Sequence, residues 1–340
     1  MHRGEDGWRS GRYLPVVSEV SPAVPRGGAA DMLAVRWHAR SDVRVEQVPP
    51  PPPPGPGDVQ LQVRWCGICG TDLEEWLNGP LPGQRVAVDT IVSCGSCHWC
   101  RRGELTRCPA LGALGLHGDG GLAELCNAPA RMCLPLPDTV PDDEAALTEP
   151  LAVAVRALRR GGLRPGERVA VVGAGAVGLM AVQAAAAFGA DSVAVAEPLP
   201  ERRALAARLG ADRTVPPEDA AALEADVAIE CAGTPGAVQT ALQALRSGGR
   251  AVLLGIVTEP APIAPMDLVR GEKSLIGSLS HVWDDDFLVA LRLLGRGAVQ
   301  AAPLITDRIP LGAAVSGGLA LLRDEPDKHL KILVQPGGAG

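Results

Sequence analysis

Aromatic side chains are scarce: phenylalanine, tyrosine and tryptophan together make up 3% of the 340 residues. No basic patch is interleaved with aromatics, and the formal net charge of −7 is acidic, so the stacking platforms and electropositive face of a nucleic-acid binder are missing. No secretory signal is recognisable at the start of the chain. Nine cysteines without such a signal point to a reducing compartment, by expectation the cytoplasm, where thiols bind metal or stay free. A membrane span is not expected either. Residues 169–190 contain only Gln183 as a polar side chain, yet Gly173, Gly175 and Gly178 separate a β-branched run from an Ala-rich run. That pattern suits a buried strand, a tight turn and a buried helix.

What is present is a chain that is 46% hydrophobic and long enough for two domains with real cores. Its most specific signal is the run SCGSCHWCRRGELTRC, in which Cys94, Cys97, Cys100 and Cys108 follow a C-x2-C-x2-C-x7-C spacing. Four thiols so spaced can converge on one zinc ion at about 2.3 Å per bond, and a closed four-thiolate shell leaves no open position for chemistry. The zinc is therefore expected to be structural. A disulfide pair or free thiols is the alternative.

Residues 1–31 are rich in Gly, Pro, Arg and Ser without periodicity and read as a disordered extension. Met32 begins a more convincing domain, in which the alternation of MLAVRWHARSDVRVEQV predicts two short strands. Six consecutive prolines, 49–54, then form a stiff connector to a further strand, VQLQVRWC. From about Glu167 the pattern becomes strand and helix alternation. RVAVV, SVAVA, DVAIEC, RAVLLGI and SLIGSL are continuous apolar runs. LMAVQAAAAFG, PERRALAARLG and GAVQTALQALRSGG are helical, the last closed by its glycines. The fold class is α/β with a doubly wound parallel sheet. Asp284 to Asp286 are placed to cap one more helix, FLVALRLLG, and the tail ends in a strand, KILV.

Within this half, RVAVVGAGAVG sets Gly173, Gly175 and Gly178 in the G-x-G-x-x-G pattern between a strand and a helix. The first glycine permits the turn, the second admits a pyrophosphate close to backbone N–H groups, and the third allows close helix and strand packing. Val177 lies in the same turn as a further cofactor contact. Glu197, at the end of SVAVAE, stands where a carboxylate accepts hydrogen bonds from the adenosine ribose and repels a 2′-phosphate, which favours NAD. Arg202 and Arg203 are the counterweight, since an arginine past this strand can pair with the 2′-phosphate of NADP; the solvated face of a helix is the plainer role for both.

A cysteine lobe preceding such a half, with CGICGTD upstream and TEPLAVAVRAL between, resembles the zinc-dependent medium-chain alcohol and polyol dehydrogenases from Met32 to about Val334. The phrases CGICGTDLEEWLNGP, LGLHGDGGLAE and DKHLKILV look nearest to the butanediol dehydrogenase branch, with sorbitol and threonine dehydrogenases as neighbours. The resemblance implies a GroES-like catalytic domain (residues 32–151, with the structural-zinc lobe at 93–109), a Rossmann domain (152–295), and a return to the catalytic domain (296–340). It implies a second, catalytic zinc held by Cys69, with Glu149 near or on the metal, Thr71 passing the proton outward and Asp72 orienting a ligand. It also implies a small alcohol or polyol as substrate and a homo-oligomer, dimer or tetramer, built through the edge of the Rossmann sheet.

The family's Gly-His-Glu segment, source of a histidine ligand, does not occur here: EEWLNGPLPGQ runs directly into RVAVDTIVSCG. The six histidines are His2, His38, His98, His117, His281 and His329, and none lies between Cys69 and the cysteine lobe. Cys69 and Glu149 are two recognisable ligands where three are usual. Glu74, Glu75 and His117 are substitute candidates, with solvated charges and an idle loop histidine as their plainer readings, and the truncated catalytic domain is expected to be open at an edge. The leading expectation is a zinc-containing, NAD-dependent oxidoreductase interconverting a secondary alcohol, vicinal diol or polyol with its ketone, impaired by an incomplete catalytic zinc site. A non-catalytic NAD-binding relative stapled by zinc, and a zinc-independent quinone-type reductase, are the alternatives.

Overall fold

The computed structural model describes residues 16–20, 31–39, 42–49, 61–66 and, apart from 118–119, 124–125, 127 and 129–131, residues 85–335. Cys69, Thr71, Asp72, Glu74, Glu75 and prolines 50–54 lie outside the described residues. The chain divides into two compact units, 1–84 and 85–340.

The first unit contains β1 (Val16–Val20), β2 (Met32–Ala39), β3 (Asp42–Val48) and β4 (Leu61–Cys66). β2 pairs antiparallel with β3, from Met32 opposite Val48 to Ala39 opposite Asp42, as the alternation predicts. β1 pairs antiparallel with β4. It lies inside the stretch read as a structureless extension, where the valine-rich VVSEV has strand-forming side chains that a composition argument averages away.

The second unit opens with four short strands, β5 (Val86–Val88), β6 (Ile91–Val92), β7 (Gly112–Ala113) and β8 (Cys133–Pro135), which form the antiparallel pairs β5–β8 and β6–β7. The helix Thr148–Arg160 follows. Its buried Leu151, Ala154, Val155 and Leu158 recur at the spacing of one helical face and pack in the same core as Val169, Val171, Val227 and Ile229 of the central sheet.

That sheet comprises β9 (Arg168–Val172), β10 (Ser192–Ala196), β11 (Arg213–Val215), β12 (Ala225–Glu230), β13 (Leu245–Leu253) and β14 (Ser274–Gly277). All neighbours are parallel, in the order β11-β10-β9-β12-β13-β14. Counted from the glycine-motif strand, this is the doubly wound Rossmann order, with its switch point between β9 and β12. Val169 and Val171 enter one core, whereas Ala170 and Val172 enter the core on the opposite face, which is why the strand is apolar without a break. The stretch 169–190 is thus strand, turn and the helix Ala176–Ala187. No helix among the described residues is long and apolar enough to cross a membrane.

Two local readings need correction. The helix beginning at Pro235 ends at Gln243, and Gly248 and Gly249 belong to β13 rather than to the helix terminus. Gly248 has φ of 76°, and the pairing with β12 shifts register between Ala225 and Val227, so these glycines form an irregular strand entry that a residue with a Cβ resists. β11 was not expected, because RTV is short and half-exposed and carries no apolar run.

The three aspartates 284–286 do precede a helix, Leu288–Gly295, but none caps it with its side chain. Asp286 is fully buried. Its carboxylate accepts the Val282 N–H at 2.8 Å and takes Arg159 at 2.5 Å and Arg156 at 3.3 Å, while Arg159 also reaches Asp285 at 2.7 Å. The helix Thr148–Arg160 is thereby locked to the turn that follows β14. Beyond it, β15 (Ile305–Pro310) and β16 (Lys331–Gln335) form a parallel pair. Replacing Asp286 by alanine leaves the largely buried Arg156 without its counter-ion and is expected to destabilise the protein by about 3–5 kcal/mol in denaturant unfolding. A loss below about 1 kcal/mol would show that the clamp is incidental.

Candidate active site

The structure brings Cys94, Cys97, Cys100 and Cys108 together, their sulfurs all within 4.8 Å of one another. Cys94 and Cys100 are 3.8 Å apart and Cys97 and Cys100 3.5 Å. Four sulfurs at about 2.3 Å from a tetrahedral zinc stand about 3.8 Å apart, so the donor set fits the ion. Backbone N–H groups of Cys97, Cys100 and Cys94 point at the sulfurs of Cys94, Cys97 and Cys108, each at 3.4 Å. Hydrogen bonds from the Ser96 and Cys97 backbones lower the Cys94 pKa to about 6, whereas burial raises that of Cys100 to about 11. His98 is exposed and rests edge-on against Trp99, outside the four-cysteine group. His117 is also exposed, and its Nδ1 accepts the Ala113 N–H at 3.1 Å within its own turn.

At the dinucleotide end, Gly173 closes β9 with φ of 95°, and a Cβ there would come within 2.9 Å of the Ala232 side chain. Gly175 is the residue before the helix Ala176–Ala187, whose N-terminus, containing Val177 and Gly178, supplies free N–H groups and a positive dipole end. A Cβ on Gly178 would stand 1.9 Å from the Gly173 carbonyl oxygen, so only glycine lets helix and turn approach. Glu197 is 3% exposed. One of its oxygens accepts the Ala174 N–H at 2.7 Å and the other the Leu199 N–H at 3.0 Å. Each carboxylate oxygen keeps acceptor capacity beyond these bonds, so they orient the group without exhausting it.

Arg203 donates to the carbonyls of Glu197 and Pro198 at 2.6 and 2.8 Å, which makes it a loop clamp. Arg202 donates to the Pro326 carbonyl, while its buried Nε has no partner. Gly173, Gly175, Glu197, Arg202, Thr234 and Asp327 line a cleft of about 530 Å³ at this switch point. Glu230 was missed by sequence reasoning. It is fully buried at the end of β12 and accepts the N–H groups of Ala232 at 2.8 Å and Gly233 at 2.7 Å, holding the loop that faces the glycine turn. Its signal was an acidic residue directly after the apolar run Val227–Ile229 at the end of the strand.

Glu149 lies in the first turn of the helix Thr148–Arg160, its side chain 36% exposed. Beside it sits a residue the sequence did not single out, His281, which is fully buried after β14. The Nε2 of His281 is 2.8 Å from Asp89 Oδ1, and its Nδ1 is 3.5 Å from Glu149 Oε1. Asp89, 5% exposed, is fixed by the N–H of Ile91 at 2.9 Å and by its own N–H to the Met132 carbonyl. Burial pulls the His281 pKa down, but the two carboxylates outweigh it and hold the pKa at about 9. Among the described residues, the four cysteines are the one group of three or more His, Cys, Asp and Glu donors close enough to share an ion.

Replacing Gly178 by alanine is expected to weaken NAD binding by about 10-fold or more, since a clash costing roughly 1–3 kcal/mol falls on the phosphate turn. Isothermal titration would read it, and unchanged affinity would contradict the close approach. Cys100→Ser is expected to remove one zinc ion per chain by elemental analysis and to lower the unfolding midpoint; retention of that ion would refute the four-thiolate site.

Two family models match the chain, the zinc-binding dehydrogenase model over residues 176–296 and the alcohol dehydrogenase GroES-like domain over residues 77–138. The (R,R)-butanediol dehydrogenase of Bacillus subtilis is 31% identical, across 90% of this chain and all of that protein. Human sorbitol dehydrogenase is 30% identical, across 82% of this chain and 89% of its own length. Among solved structures, 2R,3R-butanediol dehydrogenase from Bacillus subtilis superposes with a TM-score of 0.68 at 30% identity, covering 90% of this chain and 99% of that one. A zinc-binding dehydrogenase from Sinorhizobium meliloti bound to NADP gives 0.70 at 30% identity, with 91% and 100% covered. A GroES-like domain joined to a Rossmann sheet, a four-cysteine lobe and a glycine turn at the switch point place this chain in the zinc-dependent medium-chain alcohol dehydrogenase family.

Proposed function

We propose that this protein interconverts a secondary alcohol, a vicinal diol or a small polyol with its ketone, using NAD as the hydride acceptor. The oxidation balances as alcohol plus NAD⁺ giving ketone, NADH and one proton. When bound, zinc supplies the Lewis acidity that acidifies the alcohol, and the nicotinamide accepts the hydride. The observation that carries the reading is the Glu149 carboxylate, partly exposed beside the buried His281 and Asp89 in the same unit as a formed dinucleotide turn.

Each residue has a stated task in this scheme. Gly173, Gly175, Val177 and Gly178 receive the pyrophosphate on the helix N-terminus. The Glu197 carboxylate, oriented by two backbone N–H groups, takes the ribose hydroxyls and disfavours a 2′-phosphate. Arg202, with its unpartnered Nε, is what remains in favour of NADP. Glu149 is a metal ligand, as is Cys69 by family resemblance, while Thr71 moves the proton outward and Asp72 orients a ligand. The catalytic domain is proposed to span residues 32–151 and to be rejoined by 296–340, around a Rossmann domain of 152–295, and the enzyme to act in the cytoplasm as a dimer or tetramer.

A panel of vicinal diols, sorbitol and simple secondary alcohols, offered with NAD⁺ or NADP⁺, tests the reading through NADH or NADPH formation. Turnover is expected with diols or polyols and NAD⁺. Glu149→Gln is expected to lower kcat by about 100-fold or more with NAD affinity unchanged. One observation favours a second reading: among the described residues no group other than the four cysteines offers three donors to a metal. A protein that binds NAD and one zinc per chain but turns over no member of the panel would be the non-catalytic relative.

A further inference from the structure

We infer that His281 is a ligand of the catalytic zinc, paired with Glu149 and held in place by Asp89, in place of the histidine that the absent Gly-His-Glu segment supplies in the family. The inference rests on the proposed function, since it assumes that a catalytic metal binds.

The first ground is an unsatisfied atom. His281 is fully buried, and its Nδ1 has no hydrogen-bond partner. A buried polar nitrogen left without a partner costs about 1–3 kcal/mol, so its retention calls for a reason. Its neighbour Glu149 Oε1, at 3.5 Å, pairs with it as a charge but makes no hydrogen bond to it. The second ground is that separation itself. A tetrahedral zinc with bonds of about 2.0–2.1 Å to nitrogen and 2.0–2.2 Å to oxygen sets the two donors about 3.3–3.5 Å apart. The atoms stand at the spacing of two ligands of one ion.

The third ground is the other ring nitrogen. An ionised carboxylate only accepts, so the 2.8 Å contact with Asp89 requires Nε2 to carry a proton and leaves Nδ1, facing Glu149, as the nitrogen that would exchange its proton for a metal ion. Metal-ligating histidines commonly donate their second ring N–H to a carboxylate in this way, which fixes tautomer and orientation. Asp89 is itself immobilised by the Ile91 N–H, and the loop carrying His281 is pinned by Asp286 to the helix that carries Glu149. The ring is thus held from both sides before any ion arrives. Of the pair, His281 is fully buried and Glu149 is the partly exposed member. Cys69 lies outside the described residues, whereas Asp89, Glu149 and His281 all belong to the second unit.

Metal counting on the full chain tests this directly. Wild-type protein equilibrated with zinc is expected to hold two ions per chain. His281→Gln is expected to hold one, that of the cysteine lobe, with NAD binding retained as evidence of folding. Asp89→Asn is expected to keep the second ion with affinity lowered about 10- to 100-fold. In cadmium-loaded wild-type protein with nitrogen-labelled histidine, scalar coupling between the second ion and an imidazole Nδ1 is expected, a readout that needs no variant to fold. A His281→Gln protein that keeps the second ion at unchanged affinity, or a second cadmium without histidine coupling, overturns the inference and leaves the proposed function standing. Wild-type protein that never takes up a second ion overturns the metal-dependent mechanism beneath it as well.

Discussion

The reaction end of this molecule depends on one buried carboxylate. Asp286, with no solvent exposure, receives Arg156 and Arg159 from the helix Thr148–Arg160 and closes its own turn on the Val282 N–H. The cost of desolvating such a group is met only when its partners are well placed, so the pairing specifies a position as much as it adds stability. What it ties together is the C-terminal half of that helix, whose first turn carries Glu149, and the turn at Val282 that follows His281. It adds a polar lock to the apolar packing of Leu151, Val155 and Leu158 against Phe287 and Leu291, which also holds these two remote side chains near one another.

A similar logic organises the cofactor end. Glu197 and Glu230, at the C-terminal ends of β10 and β12 on either side of β9, each accept two or more backbone N–H groups from the loops beside the cleft. Carboxylates buried in this manner shape irregular loops that apolar packing cannot hold, because loop N–H groups need acceptors wherever water is excluded. The glycines then do what no other residue can: Gly178 lets the helix start against the Gly173 carbonyl. The sheet supplies the rigid platform and the acids set the loops upon it.

Much of this was legible in the sequence because its signals are local. The cysteine spacing and the glycine turn each lie within one short run, and the apolar strands declare themselves through burial on both faces. β11 escaped because its three residues are partly solvated, and the glycines 248–249 misled because the same residue type ends helices and admits strand irregularities. His281 was counted but not recognised. Its partner Asp89 lies 192 residues away, and no spacing rule reaches across a crossover that only the folded sheet creates. The missing Gly-His-Glu segment was visible at once, whereas the side chain best placed to replace its histidine required the tertiary structure.

The family membership, the cofactor turn and the zinc lobe would be common to an active enzyme and an inert relative; the second metal separates them. The most direct measurement is the formation of NADH from a vicinal diol as zinc is returned stepwise to metal-depleted, folded protein. The first equivalent should fill the cysteine lobe, whose four thiolates bind more tightly, and leave the protein inactive, and NADH formation should rise only with the second. Full activity at one equivalent, or no activity at two with NAD bound, would contradict the account.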